Sequence, residues 1–121
     1  MGRASREKGI RGELEVRDVF EEYDFDVERV PNSGGLLLKG DLYTRNPIDL
    51  PIHVEVKRVG VRLNWWEALE QMESERGDKH GLLCVRRDRG EWYGVMRLRD
   101  ILSLHRSVLN QEETIRVIRN Y

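Results

Sequence analysis

The chain has 121 residues, of which 36% are charged, and its 21 lysines and arginines nearly balance its 22 aspartates and glutamates. This length suits one small domain spanning residues 1–121, and short periodic clusters of apolar residues allow it a modest core. No apolar run approaches the roughly 18 to 20 residues of a membrane span, and the N-terminus is too polar for a signal peptide. Secretion and membrane insertion are therefore disfavoured, and the single cysteine, Cys84, suits a reducing cytoplasm.

Positive charge is clustered along the sequence, although the formal net charge is only −1. Attraction to a polyanion depends on where charges lie and not on their sum, so the composition is compatible with a nucleic-acid partner. Arginine supplies most of the positive charge, which suits contacts with phosphate groups. The basic clusters are Arg3, Arg6, Lys8 and Arg11, then Lys57, Arg58 and Arg62, then Arg86, Arg87 and Arg89.

Hydrophobic periodicity predicts helices and strands in the order α-β-β-β-α-β-β-α. Helical spacing of apolar residues marks the helices, and Asn64 with Glu67 forms a capping pair that opens the second of them. Apolar residues alternating with polar ones, and short apolar runs between turn residues, mark the strands; Asp88, Arg89 and Gly90 provide the turn of a hairpin. The predicted helices cover residues 5–23, 65–77 and 99–109, and the predicted strands cover residues 24–31, 36–44, 52–57, 82–86 and 92–96.

This order indicates a small α/β fold in which a mixed β-sheet is flanked by helices. The last segment, residues 110–121, forms a tail whose apolar residues fit neither the helical nor the strand period, so its state stays open.

The strand predicted over residues 52–57 carries Glu55 and Lys57 on its polar face. On many strands such a pair is a solvated ion pair worth under about 1 kcal/mol. A third residue changes this interpretation, because Asp41 lies on the preceding predicted strand. Pairing of the two strands would place Asp41 beside Glu55.

These three side chains predict a hydrolytic metal site. The carboxylates of Asp41 and Glu55 repel each other unless a proton or a cation bridges them, and such oxygen ligands suit Mg²⁺ or Mn²⁺. The backbone carbonyl of Val56 can add a ligand. Lys57 beside such a centre can orient or help to deprotonate an attacking water and stabilise negative charge at phosphorus.

Glu13, on the first predicted helix, is a further candidate. An advance of about 100° per residue brings Glu13 within about 20° of Phe20, so its carboxylate points toward the core face. Burial of a lone carboxylate is costly. Glu13 therefore either reaches solvent at the edge of the apolar stripe or has a cationic partner such as a metal.

Four motifs in order resemble those of a nuclease family. They are Lys8-Gly9-Ile10-Arg11-Gly12-Glu13, Ser33-Gly34, Gly40-Asp41 and Glu55-Val56-Lys57. Together they resemble the PD-(D/E)XK nuclease superfamily and, within it, the Holliday junction resolvases of archaea and their phage relatives. Gly40 stands where the superfamily's name has proline. The resemblance covers about residues 5–86 and implies a restriction-endonuclease-like fold.

The resemblance implies a metal-dependent endonuclease that resolves four-way DNA junctions by paired phosphodiester hydrolysis, with Mg²⁺ as cofactor and Mn²⁺ as substitute. Its implied catalytic residues are Glu13, Asp41, Glu55 and Lys57. The metal would be held by the carboxylates of Glu13, Asp41 and Glu55 and by the backbone carbonyl of Val56. It also implies a homodimer, because two symmetry-related sites can cut two opposed strands. The residues expected to contact DNA are Arg6, Lys8, Arg11, Ser33, Arg58 and Arg62, and Gln71 is a weaker candidate for the site.

Two alternatives stay open. One keeps the nuclease fold but changes the substrate to other branched or duplex DNA. The other is a DNA-binding or assembly module that has the fold without catalysis. Against the second alternative, a module without catalysis has no physical need for clustered carboxylates.

Overall fold

The computed structural model describes residues 2–31, 40–44, 51–59 and 62–120. Within these ranges, helices and strands follow one another in the predicted order, so the predicted α/β fold is confirmed. The elements are α1 (Arg3–Glu22), β1 (Val27–Arg29), β2 (Leu42–Thr44), β3 (Ile52–Val59), α2 (Trp65–Glu75), β4 (His80–Arg87), β5 (Tyr93–Val95) and α3 (Leu98–Arg119). The first residues of the second predicted strand, 36–39, lie outside the described residues.

The strands form two sheets that meet at β3. β1 pairs antiparallel with β2, while β3 pairs parallel with β4, and β4 pairs antiparallel with β5 as the predicted hairpin requires. α2 connects β3 to β4, because parallel neighbours need a crossover connection. The N–H of Asp41 donates to the carbonyl oxygen of Val54 at 2.7 Å. This bond ties the start of β2 to the edge of β3 that faces away from β4.

α1 and α2 cover opposite faces of the β3–β4 sheet. On the α1 side, Val54 and Cys84 belong to a core cluster with Val16 of the helix. On the α2 side, Leu83 packs in a second cluster with Met72. The alternation along β3 had predicted one half-solvated face, but α2 covers that face too.

α3 contributes no residue to either core cluster, and none of its residues is buried. It continues to Arg119, so the tail that the sequence left open is helical. No helix in the described part of the chain is long and apolar enough to span a lipid bilayer.

Two glycines provide a matched test of this packing. A Cβ atom at Gly81 would lie 2.9 Å from Cε and 3.1 Å from Cγ of Met72, so this fully buried side chain would have to shift. Gly81→Ala is therefore expected to lower the free energy of unfolding by about 1–3 kcal/mol. Gly9→Ala on α1 meets no atom within 4 Å and is expected to raise it by about 0.5–1 kcal/mol. Urea denaturation of the two variants measures both values, and equal stabilities would contradict the packing described.

Candidate active site

Asp41 is fixed at the edge of β3 by two backbone contacts. Besides the bond from its own N–H to Val54, its Oδ2 accepts a hydrogen bond from the N–H of Val56 at 2.6 Å. The N–H and C=O of one strand residue point to the same side of the strand, so the Val56 carbonyl lies on the Asp41 side. The Asp41 carboxylate and the Val56 carbonyl, both predicted as metal ligands, thus share one edge of the sheet.

Gly40 makes the turn that delivers Asp41 to this edge. Its φ of +85° lies in the left-handed region that glycine adopts without a steric penalty. A Cβ atom here would lie 3.0 Å from the carbonyl oxygen of Val54 and 3.0 Å from Cε1 of His53. Proline, whose φ is fixed near −65°, cannot adopt this conformation. The glycine in place of the superfamily's proline therefore has a local structural reason.

Glu13 reaches the same region from α1, and its side chain is 12% exposed. Its Oε2 accepts a hydrogen bond from Nε of Arg29 at 2.5 Å, so the cationic partner that the sequence required is this arginine. Burial, with a smaller contribution from the negative charge of Asp41, raises the pKa of Glu13 to about 7, against the opposing effect of Arg29. Sequence reasoning missed Arg29, although it lies two residues after the fully buried Val27 and so shares its face of β1.

Glu55 lies on the α2 side of β3 and is 5% exposed. His53 Nε2 is 2.8 Å from its Oε1, within hydrogen-bond distance. Burial raises the pKa of Glu55; the His53 contact opposes this, and a hydrogen bond with Glu75 and the charge of Asp41 add to it. The ligand atoms of His53, Glu55 and Glu75 all lie within 4.8 Å of one another, and Glu13 and Asp41 are not members of this group.

The contacts that His53 and Glu75 make with Glu55 were not predicted from the sequence. His53 resembled an ordinary strand-edge residue in the sequence, yet the structure buries the imidazole against Glu55. Glu75 was not singled out either. A usable signal was its position one helical turn after Gln71, which gives both residues the same face of α2.

Lys57 and Gln71 meet above the same face of β3. Lys57 Nζ donates to Gln71 Oε1 at 3.4 Å, so the structure places the weaker candidate beside the predicted catalytic lysine. α2 begins where Asn64 caps it, with its side chain accepting from the N–H of Glu67, as predicted. This start fixes which residues of α2 face Lys57 and Glu55.

The predicted ligands Glu13, Asp41 and Glu55 influence one another, but within the described residues they do not form a group whose ligand atoms all lie within 4.8 Å of one another. Burial is the largest cause of the raised pKa of both Glu13 and Glu55, and the negative charge of Asp41 adds to it in both, so the Asp41 carboxylate lies near both groups. Carboxylate and carbonyl oxygens are the ligands that Mg²⁺ and Mn²⁺ prefer. A cation held by Asp41 and Glu55 would compete with Arg29 for Glu13.

The residues predicted to contact DNA fall into two groups. Arg6, Arg11 and Arg62 are exposed. Lys8 is in an ion pair with Asp88 at 3.0 Å, and Arg58, 19% exposed, lies 3.9 Å from the Glu15 carboxylate. Ser33 lies outside the described residues.

Glu13 is expected to make stability depend on pH in chelator. Its pKa rises from 4.5 to about 7 on folding, so the folded chain binds this proton more tightly than the unfolded chain does. The free energy of unfolding should therefore fall as pH rises from about 4.5 through about 7, by about 1–3 kcal/mol. Glu55 acts in the same direction. Urea denaturation at about pH 5 and about pH 7.5 measures the difference in the free energy of unfolding. Glu13→Gln should show a smaller difference between the two pH values than the wild type does. An equal or larger difference in this variant would contradict the assignment to Glu13.

Comparison with known proteins places the chain among phage proteins. The sequence profile of a family described as "Phage putative PDDEXK endonuclease" matches residues 4–120. Protein D14 of Escherichia phage T5 is 31% identical to the chain, over 90% of the chain and 84% of D14. No solved structure matches this chain. The family match extends through α3, beyond the residues that carry the four motifs.

Proposed function

The chain belongs to the family of phage PDDEXK endonucleases, and on this premise we propose that it is a Mg²⁺-dependent endonuclease that resolves four-way DNA junctions. The observation that carries the proposal is that Asp41, Glu55 and Lys57 all gather along β3. Asp41 is fixed there by Val56, while Glu55 and Lys57 project from the covered face of the same strand. Family membership supports a nuclease, and an endonuclease of this kind acts on DNA.

In the proposed mechanism, Asp41, Glu55, Glu13 and the Val56 carbonyl would hold the metal. A bound Mg²⁺ supplies a Lewis acid for the phosphoryl oxygens and lowers the pKa of water. The hydrogen bond from the Val56 N–H keeps the Asp41 carboxylate from rotating away from the edge. Lys57, oriented by Gln71, holds the attacking water and stabilises negative charge at the phosphate.

The proposal of a branched substrate rests on the motifs, which resemble those of junction resolvases, and on the exposed arginines. Arg6, Arg11 and Arg62 would contact phosphates, which positions DNA without reading its sequence. Binding should therefore weaken steeply with salt and depend on the shape of the DNA more than on its sequence.

A homodimer is part of the proposal, and α3 supports it. Its apolar residues follow a seam with alternating spacings of three and four residues, as in helices that pair with each other. Five of the six seam positions are apolar: the seam consists of Ile101, Leu104, Val108, Gln111, Ile115 and Ile118. In proteins, most of the stability of a helix comes from packing of its apolar face, and α3 has no buried residue of its own.

Sedimentation velocity tests this dimer. The wild-type chain is expected to sediment as a dimer, and Val108→Glu combined with Ile115→Glu is expected to give a monomer. A monomeric wild type at the concentrations used for cleavage would contradict the homodimer.

A substrate panel tests the proposed specificity. Four-way junction, flap, nicked and linear duplex DNAs of matched sequence are incubated with the protein and Mg²⁺. Symmetric paired incisions confined to the junction are expected. Cleavage of the flap or the duplex at a similar rate would favour a nuclease for other branched or duplex DNA. Junction binding without cleavage of any substrate would favour the non-catalytic module.

A further inference from the structure

A second group of potential metal ligands adjoins Glu55 on the side covered by α2. His53, Glu55 and Glu75 each offer one ligand atom, and these atoms all lie within 4.8 Å of one another. His53 and Glu55 are only 4% and 5% exposed, so this is not a solvated surface cluster. The group joins two residues of β3 with one residue at the end of α2.

The charges in this group are unevenly compensated. His53 Nε2 lies 2.8 Å from Glu55 Oε1 but 3.9 Å from Glu75 Oε2. A single imidazole nitrogen carries at most one hydrogen, and only Glu55 lies within hydrogen-bond distance of this nitrogen. Two carboxylates so close together repel each other unless they share a proton, as in the hydrogen bond between Glu55 and Glu75, or a cation lies between them. A cation in contact with all three groups would remove this repulsion.

The imidazole is held in a defined position. Because Gly40 has no side chain, the ring packs beneath the turn that delivers Asp41. A Cβ atom at Gly40 would lie 3.0 Å from Cε1 and 3.1 Å from Nδ1 of His53. Atoms that bind one ion at about 2.1 Å lie no more than about 4.2 Å apart, so the group needs only small side-chain adjustments to close around an ion.

We propose that His53, Glu55 and Glu75 form a cation site, distinct from the Asp41 position, that takes a first-row transition ion through one imidazole nitrogen and two carboxylate oxygens. An imidazole nitrogen is a ligand for transition ions, whereas Mg²⁺ prefers oxygen alone. On binding, His53 Nε2 exchanges its hydrogen bond with Glu55 for the ion and carries its proton on Nδ1. This inference rests on the proposed function only in that Glu55 is shared by the two positions.

Mn²⁺ alone is the probe, read by electron paramagnetic resonance. Titration of the protein gives the affinity from the signal of free Mn²⁺, and pulsed measurements detect coupling of the bound ion to an imidazole nitrogen. The wild type is expected to show nitrogen coupling, and His53→Asn is expected to lose it and to bind Mn²⁺ at least about tenfold more weakly. His105→Asn, at an exposed histidine of α3, is the matched control and should behave as the wild type does.

Glu75→Ala keeps the test decisive if His53→Asn fails to fold, because the Glu75 side chain is 35% exposed at the end of α2. It should weaken Mn²⁺ binding at least about tenfold, while Glu70→Ala on the exposed face of α2 should leave binding unchanged. Absence of nitrogen coupling in the wild type, or its persistence in His53→Asn, would overturn the inference.

Asp41→Asn separates this inference from the proposed nuclease activity. Nitrogen coupling should persist in Asp41→Asn, since Asp41 is not a member of the group. Mg²⁺-dependent cleavage by a wild type without nitrogen coupling would overturn the transition-ion site and leave the nuclease intact. Nitrogen coupling in a wild type that cuts no DNA would support the site and contradict the nuclease.

Discussion

Asp41→Asn is expected to reduce the rate of DNA cleavage by at least about 10³-fold and to leave the affinity for a four-way junction unchanged. The amide oxygen of asparagine can still accept the hydrogen bond that Val56 donates to Asp41 at 2.6 Å, so the edge of β3 keeps its geometry. The variant loses only the negative charge that would bind the cation.

Single-turnover cleavage of a labelled junction and a binding titration in chelator measure the two effects separately. Asp78→Asn is the matched control, because Asp78 is exposed in the turn after α2. It should cut DNA at the wild-type rate. Cleavage by Asp41→Asn within about twofold of the wild type would remove Asp41 from the catalytic site.

Lys57→Met has the second largest expected effect, a loss of about 10²- to 10⁴-fold in the rate of the chemical step. Methionine retains the aliphatic length of lysine but not the ammonium group that donates to Gln71. Because the carboxylates are untouched, Mg²⁺ affinity should change little. Gln71→Ala should cost less, about tenfold, since Gln71 acts by positioning Lys57.

Cleavage rates at saturating Mg²⁺ and a separate metal titration distinguish these effects. Lys79→Met, in the turn before β4, is the matched control and should leave the rate unchanged. Wild-type rates in Lys57→Met would show that the water is activated without this lysine. A large loss of Mg²⁺ affinity would instead make Lys57 part of the structure of the metal site.

Most of the fold was predictable because its signals are local. The capping pair Asn64 and Glu67, the turn at Asp88 to Gly90 and the alternation along β3 each depend on neighbours in sequence, and the structure contains all three features. The state of the tail was not predictable from residues 110–121 alone, because so short a segment shows no clear period. The regular spacing becomes visible only when Ile115 and Ile118 are joined to Ile101, Leu104 and Val108 in one helix, Leu98–Arg119.

The site was only partly predictable, because some of its contacts join residues that are far apart in sequence. Sequence motifs indicated that Asp41 would lie beside the strand of Glu55, and the structure ties Asp41 to Val54 and Val56 of that strand. The catalytic role of these residues stays a prediction. Arg29 and Glu75 were not identified, and His53 was judged a strand-edge residue, because their contacts depend on the tertiary arrangement in which α1 and α2 cover both faces of β3.

The most direct test of the central claim compares cleavage with and without metal. A labelled four-way junction and its matched linear duplex are incubated with the wild-type protein in Mg²⁺ and, separately, in chelator. Paired nicks on the junction alone, in Mg²⁺ alone, are the predicted result. Intact DNA in Mg²⁺ and in Mn²⁺, from protein that binds the junction, would contradict the claim that the edge of β3 is a metal-dependent nuclease site.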